Sequence, residues 1–121
     1  MIEILKELPD GVVGFAAKGR VTRQDYESVL IPRLAQALRR PGKIRCYYEL
    51  GNEFSGMDSG AMWEDFKIGV EHLTRWDRVA VVTDVDWIRR AMNMFRFLMP
   101  GEFRVFATSE AAEARRWVAA A

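Results

Sequence analysis

His72 and Asp65 are the first pair that could do chemistry. They stand seven positions apart, about two helical turns, so one helix would set them on one side. A base and an orienting carboxylate are the minimum for proton transfer. No nucleophile is spaced to join them, and no second histidine exists to complete a metal site. Catalysis is therefore not expected, and His72 reads as a residue of a helix C-terminus. Asp84 and Asp86 follow an apolar run, where ligands gather at the ends of parallel strands. Helix capping by Asp86 is the stronger reading. Cys46, the only cysteine, sits in the run Ile44-Arg45-Cys46-Tyr47-Tyr48 and reads as a buried, inert thiol. A lone cysteine excludes an internal disulfide and a thiolate metal cluster. The stretch Gly51-Asn52-Glu53-Phe54-Ser55-Gly56 lacks the lysine and hydroxyl of a phosphate loop. No cofactor and no metal is expected.

The large hydrophobic residues say more. Phe54, Met57, Met62, Trp63, Trp87, Met92, Phe95 and Leu98 flank two expected helix starts and one long helix. Such a set is most often core. Its other uses are a pocket for an apolar or lipid-like small molecule, a homodimer surface, or a peripheral membrane contact. In the expected helix Trp87–Met99, an apolar arc holds Trp87, Ile88, Ala91, Met92, Met94, Phe95, Leu98 and Met99. Arg89, Arg90, Asn93 and Arg96 lie opposite, with Phe97 among them. Arg89, Arg96 and Phe97 are the candidate membrane-facing residues. An arc this wide exceeds what one sheet contact covers, so the helix is expected to stay partly exposed. The net charge of +1 excludes a nucleic-acid footprint, which needs a strong basic excess.

These residues must be held by elements readable from periodicity. Ile2–Leu8 and Val12–Ala17 predict a hairpin around Pro9-Asp10-Gly11. Thr22-Arg23-Gln24-Asp25 is a capping box with Asp in the Glu place. The helix it opens contains Pro32, which must kink or restart it. Lys43–Leu50 predicts a strand, residues 51–56 a loop, and Asp58-Ser59-Gly60 a helix start. That helix would turn Met62, Phe66, Gly69, Val70 and Leu73 inward. Val79–Thr83 and Phe103–Ala107 predict further strands. Ser109-Glu110 would cap a last helix with Ala114, Trp117, Val118 and Ala121 on the core. The order β-β-α-β-α-β-α-β-α predicts one α/β domain over residues 1–121: a single mixed, mostly parallel five-stranded sheet, its first strand antiparallel, with four helices. No secretory signal and no run of about 18 apolar residues is present, so a cytoplasmic chain is expected, with peripheral contact to the inner face of the membrane as its one excursion.

The pattern Asp25-Tyr26 with Pro32, then Gly42-Lys43-Ile44-Arg45 and Tyr48-Glu49-Leu50, resembles the SpoIIAA-like family. So do Trp63, Asp65, Phe66, His72, Arg78-Val79-Ala80-Val81-Val82, Asp84 and Trp87, and the closing Phe103-Arg104-Val105-Phe106, Glu110, Ala114-Arg115 and Trp117. That resemblance implies a STAS-like sheet, also likened to CRAL-TRIO lipid-binding domains. It implies a non-enzymatic regulatory or ligand-binding domain, membrane-associated or dimeric. The segment Phe54-Ser55-Gly56-Met57-Asp58-Ser59 is similar to the phosphorylated segment of anti-sigma-factor antagonists, which would make Ser59 a phosphorylation candidate. As an ordinary residue, Ser59 would cap the helix.

Overall fold

The computed structural model describes residues 1–120. Strand β1 (Ile2–Leu5) runs antiparallel to β2 (Val12–Val21), with Ile2 opposite Ala17 and Leu5 opposite Gly14. Gly14 has no side chain because Leu8 folds over it: an added Cβ would lie 2.2 Å from Leu8 Cδ1. Strands β3 (Ile44–Met57), β4 (Trp76–Thr83) and β5 (Glu102–Phe106) follow in parallel, giving the sheet order β1-β2-β3-β4-β5. The β-branched run Val79–Val82 forms the buried centre of β4.

Every parallel connection steps the same way across the sheet. With right-handed crossovers, the three intervening helices share one face. The first, α1, is three fused pieces: Arg23–Asp25, a π-helical stretch Tyr26–Leu30, and Ile31–Leu38. The capping box at Thr22 and Asp25 is formed as expected. Pro32 has no N–H to offer Ser28, and the chain widens there by one residue. Ile31 N–H donates to the carbonyl of Tyr26. Helices α2 (Ser59–Glu71) and α3 (Asp86–Phe95) complete this face, and α4 (Ala111–Ala119) lies alone on the other. The larger core joins Tyr26, Leu34, Ala61, Ile68 and Ile88 to the sheet; the smaller joins Ala114 and Val118 to Val12, Tyr47, Ala80, Val82 and Phe106.

Several sequence boundaries move. Strand β1 ends at Leu5, not Leu8, and β2 runs on to Val21. Residues 51–56 are not a loop: β3 continues through them, pairing Phe54 with Gly19 and Met57 with Val21. The ladder shifts register on both sides of Gly19, whose φ is +63°. A bulge of this kind lets two strands stay paired past a kink that would otherwise end them. Helix α3 stops at Phe95, and residues 96–98 form a turn that returns Met99 to the core. Pro100 disfavours a helical Met99. A Cβ on Gly101 would lie 2.3 Å from the Trp76 carbonyl oxygen, so only glycine passes there. Ala121 lies outside the described residues.

The largest departure is α2. Its inward side carries Ala61, Glu64 and Ile68 with the Asp65 carboxyl, while Met62, Trp63, Phe66 and Val70 are exposed. The helix is turned about 100° from the expected stripe, one residue step. Small residues bring its first turn close to α1: a Cβ on Gly60 would sit 3.0 Å from Arg23 Cβ, and Ala61 is fully buried. Close approach on that side, and a hydroxyl partner for Asp65, outweigh the apolar stripe.

Candidate functional site

Two neighbouring helices present the molecule's apolar surface. Trp63 is 54% exposed, Met94 72% and Phe97 80%, with Met62, Phe66, Val70, Trp87 and Leu98 also exposed. Trp63 and Phe66 stack on each other with ring centroids 6.0 Å apart. The two helices meet where Gly69 receives the Phe95 ring, since a Cβ there would lie 2.9 Å from Phe95 Cζ. Met62 and Phe66 share that side of α2 by helical spacing, so these two exposed residues border the α2–α3 seam.

The eight sequence-predicted ligand residues divide. Phe54, Met57, Met92 and Phe95 are partly buried and pack against the larger core. Met62, Trp63, Trp87 and Leu98 stand on the surface. None of the eight lines either of the two best-formed grooves. A groove of about 410 Å³ opens instead between α1 and α2, over Leu34, Leu38 and Ile68, with Lys67, Glu71 and His72 on its rim. Phe66, Val70 and Met94 belong to the exposed surface, yet Phe66 and Val70 read as core in the sequence. Their helix is apolar on two sides, and periodicity alone cannot choose between them.

Of the arginines, Arg90 and Arg96 are exposed, and Arg96 lies over the Phe97 ring at 5.3 Å. Arg89 is committed elsewhere: it donates to the Thr83 carbonyl at 2.8 Å and ties α3 to the end of β4. Asp86 does not cap α3; Val85 holds the cap position without a side-chain bond. Asp84 accepts from Thr108 N–H at 2.9 Å, which with the neighbouring Arg89 charge keeps its carboxyl below the usual range. Ser59 is not a cap either. Asp58 is, accepting from Ala61 N–H at 2.7 Å, and Ser59 is the exposed first residue of α2. Glu110, not Ser109, bonds back to the backbone ahead of α4, at Ala107 N–H.

Asp65 and His72 do not come together. Asp65 points inward and accepts from the Tyr26 hydroxyl at 2.8 Å; that hydroxyl lies 2.9 Å from the hydroxyl of Tyr48. Burial pushes the Asp65 carboxyl above its ordinary pKa, against the lowering effect of the Tyr26 bond. Burial also pushes the Cys46 thiol up to about 12, with Asp65 adding to the rise. The thiol is buried, as its sequence context predicted. Glu64, nearly enclosed, faces Lys67 at 3.4 Å and Arg23 at 3.8 Å. Among the described residues, no group of three or more His, Cys, Asp or Glu could hold a metal ion.

The sequence of residues 12–119, which holds the four strands β2–β5, matches a family model described as SpoIIAA-like. The chain belongs to the SpoIIAA-like family. A solved structure from Shewanella loihica PV-4, an uncharacterised protein with a SpoIIAA-like fold, is similar over 98% of this chain and 92% of that one, with 28% identity and a TM-score of 0.76. No curated protein matches the sequence. The SpoIIAA-like fold is that of a regulatory or binding domain. No helix among the described residues is long and apolar enough to cross a membrane.

Proposed function

We propose that this SpoIIAA-like domain is a non-enzymatic binding module that docks its α2–α3 face on a lipid surface or a lipid-like apolar partner. One observation carries the reading. Among the described residues, every exposed large hydrophobic side chain except Met1 lies on α2, on α3 or in the turn after α3. Scattered apolar exposure is ordinary, but confinement to one face marks an interaction surface. Aromatic rings beside exposed arginines suit the boundary between headgroups and acyl chains. Arg90 and Arg96 would add about 1 kcal/mol each at an anionic surface; the apolar side chains would supply the larger share.

Sedimentation with vesicles of phosphatidylglycerol and phosphatidylcholine tests this. The wild type is expected to co-sediment. Trp63→Ser with Phe97→Ser should abolish binding at any salt, and Arg90→Glu with Arg96→Glu should weaken it chiefly at low salt. Wild type that stays in the supernatant, or an apolar double variant that binds as well as wild type, would remove the reading. A second reading, phospho-control of a protein partner at Ser59, has in its favour an exposed hydroxyl at the first position of α2. It predicts that Ser59→Asp stays folded and loses a protein partner that Ser59→Ala keeps.

A further inference from the structure

Helix α2 is apolar outside and acidic inside, and the acid is bonded. Tyr26 lies in the π-helical stretch ahead of Pro32 and is completely buried. Its hydroxyl stands between Tyr48 Oη at 2.9 Å and Asp65 Oδ1 at 2.8 Å, joining α1, β3 and α2 in one chain of oxygens. When Asp65 is ionised, Tyr26 donates to it and can accept from Tyr48. When Asp65 is protonated, each hydroxyl can turn, so the chain stays satisfied. Protonation therefore leaves the geometry intact and removes only the charge.

Among the described residues no cation pairs with Asp65; the Met1 ammonium, the charge that the N-terminus brings to α1, is taken by Asp25 at 3.3 Å. From α1, Arg23 is turned to Glu64 and Asp25 to Thr22; from β3, Asp65 meets Tyr48 and the neutral thiol of Cys46. On its own helix, Lys67 pairs with Glu64.

We propose that Asp65, with Tyr26 and Tyr48, is a protonation-controlled latch that sets how firmly α2 is docked and hence how steadily it presents Trp63 and Phe66. The regulatory role rests on the reading of the α2–α3 face as the binding face. The sign follows from burial. The docked carboxyl holds its proton more tightly than an undocked one, whose ordinary value is 3.8. Docking is strongest below that value and weakens as the pH rises through the raised one. An anionic surface at about −30 mV lowers the local pH by roughly half a unit. It would tighten α2 where the face is used.

Amide hydrogen exchange across residues 62–70, from pH 4.5 to 8 and corrected for intrinsic rates, reads the latch in the full chain. Wild-type protection should fall about tenfold per pH unit within the titration window, while Asp65→Asn stays flat. Tyr26→Phe removes the bond that favours the ionised form, so its fall should extend to higher pH. Identical pH courses for wild type and Asp65→Asn, or an unmoved window in Tyr26→Phe, would overturn the latch. Vesicle sedimentation at pH 5.5 and 7.5 separates the two readings. Binding that rises at the lower pH in wild type but not in Asp65→Asn supports both. Absence of binding at either pH, with Asp65-dependent protection intact, upholds the latch and refutes the membrane reading.

Discussion

Helices α2 and α4 cover opposite faces of one sheet and treat their tryptophans differently. On α4, Ala114 and Val118 are fully buried, and Trp117 packs against Phe106 with Arg104 at 4.8 Å and Arg78 at 5.3 Å from its ring. Arg45 and Arg78 also donate to the carbonyls of Trp117, Val118 and Ala120, closing the helix's C-terminal end. On α2, Trp63 stacks on another exposed ring and stays 54% exposed. On α4 the tryptophan is packed against the smaller core and partly covered. The exposure on α2 and α3 is therefore a property of that face, the one the proposed docking would cover.

The sharpest test of this contrast is a charge on each helix. Val118→Asp puts an unpaired carboxylate into a sealed core and should cost about 4 kcal/mol or more. Phe66→Asp changes an exposed position and should cost about 1 kcal/mol or less. Urea unfolding of both variants measures the gap. Equal losses would mean that α2 is buried in solution as α4 is, and the face would disappear.

A smaller effect is expected at the α2–α3 seam. Gly69→Ala drives a methyl group into the Phe95 ring, which itself packs edge-on against Phe103 at 5.7 Å. Overpacking costs about 1–3 kcal/mol, and the better helix propensity of alanine returns up to about 1. A net loss of stability is expected by thermal unfolding. A gain would show that the two helices do not touch there.

The smallest effect concerns the start of α2. Asp58→Ala should lose about 1 kcal/mol, because Asp58 holds the Ala61 N–H. Ser59→Ala should stay within about 0.5 kcal/mol, as at other exposed positions. The reverse order would return the cap to Ser59 and weaken its candidacy for phosphorylation.

Much of the fold was legible because it rests on local signals. Val79–Val82, the Thr22–Asp25 capping box and the alternation of strands with helices lie within short windows. The candidate face was legible in part. Trp63, Trp87, Leu98 and Phe97 were named as surface or ligand residues and are exposed, whereas Phe54 and Met57 belong to a strand that was read as a loop. The extension of β3 depends on pairing with β2 some 35 residues earlier, through a register shift at Gly19. No window around Phe54 contains that information.

By itself, the sequence determined the order of the elements, the antiparallel first strand, the irregularity at Pro32 and a buried Cys46. Hydrophobic period and backbone chemistry act between near neighbours, and these features need nothing more. The tertiary structure alone decided which side of α2 turns inward. Met62 and Phe66 were the better inward candidates by hydrophobicity, but Ala61 allows closer approach and the Tyr26 hydroxyl meets Asp65 across 39 positions of chain. The packed side of a helix is chosen by its neighbours in space. Here that choice leaves its aromatic residues in solvent.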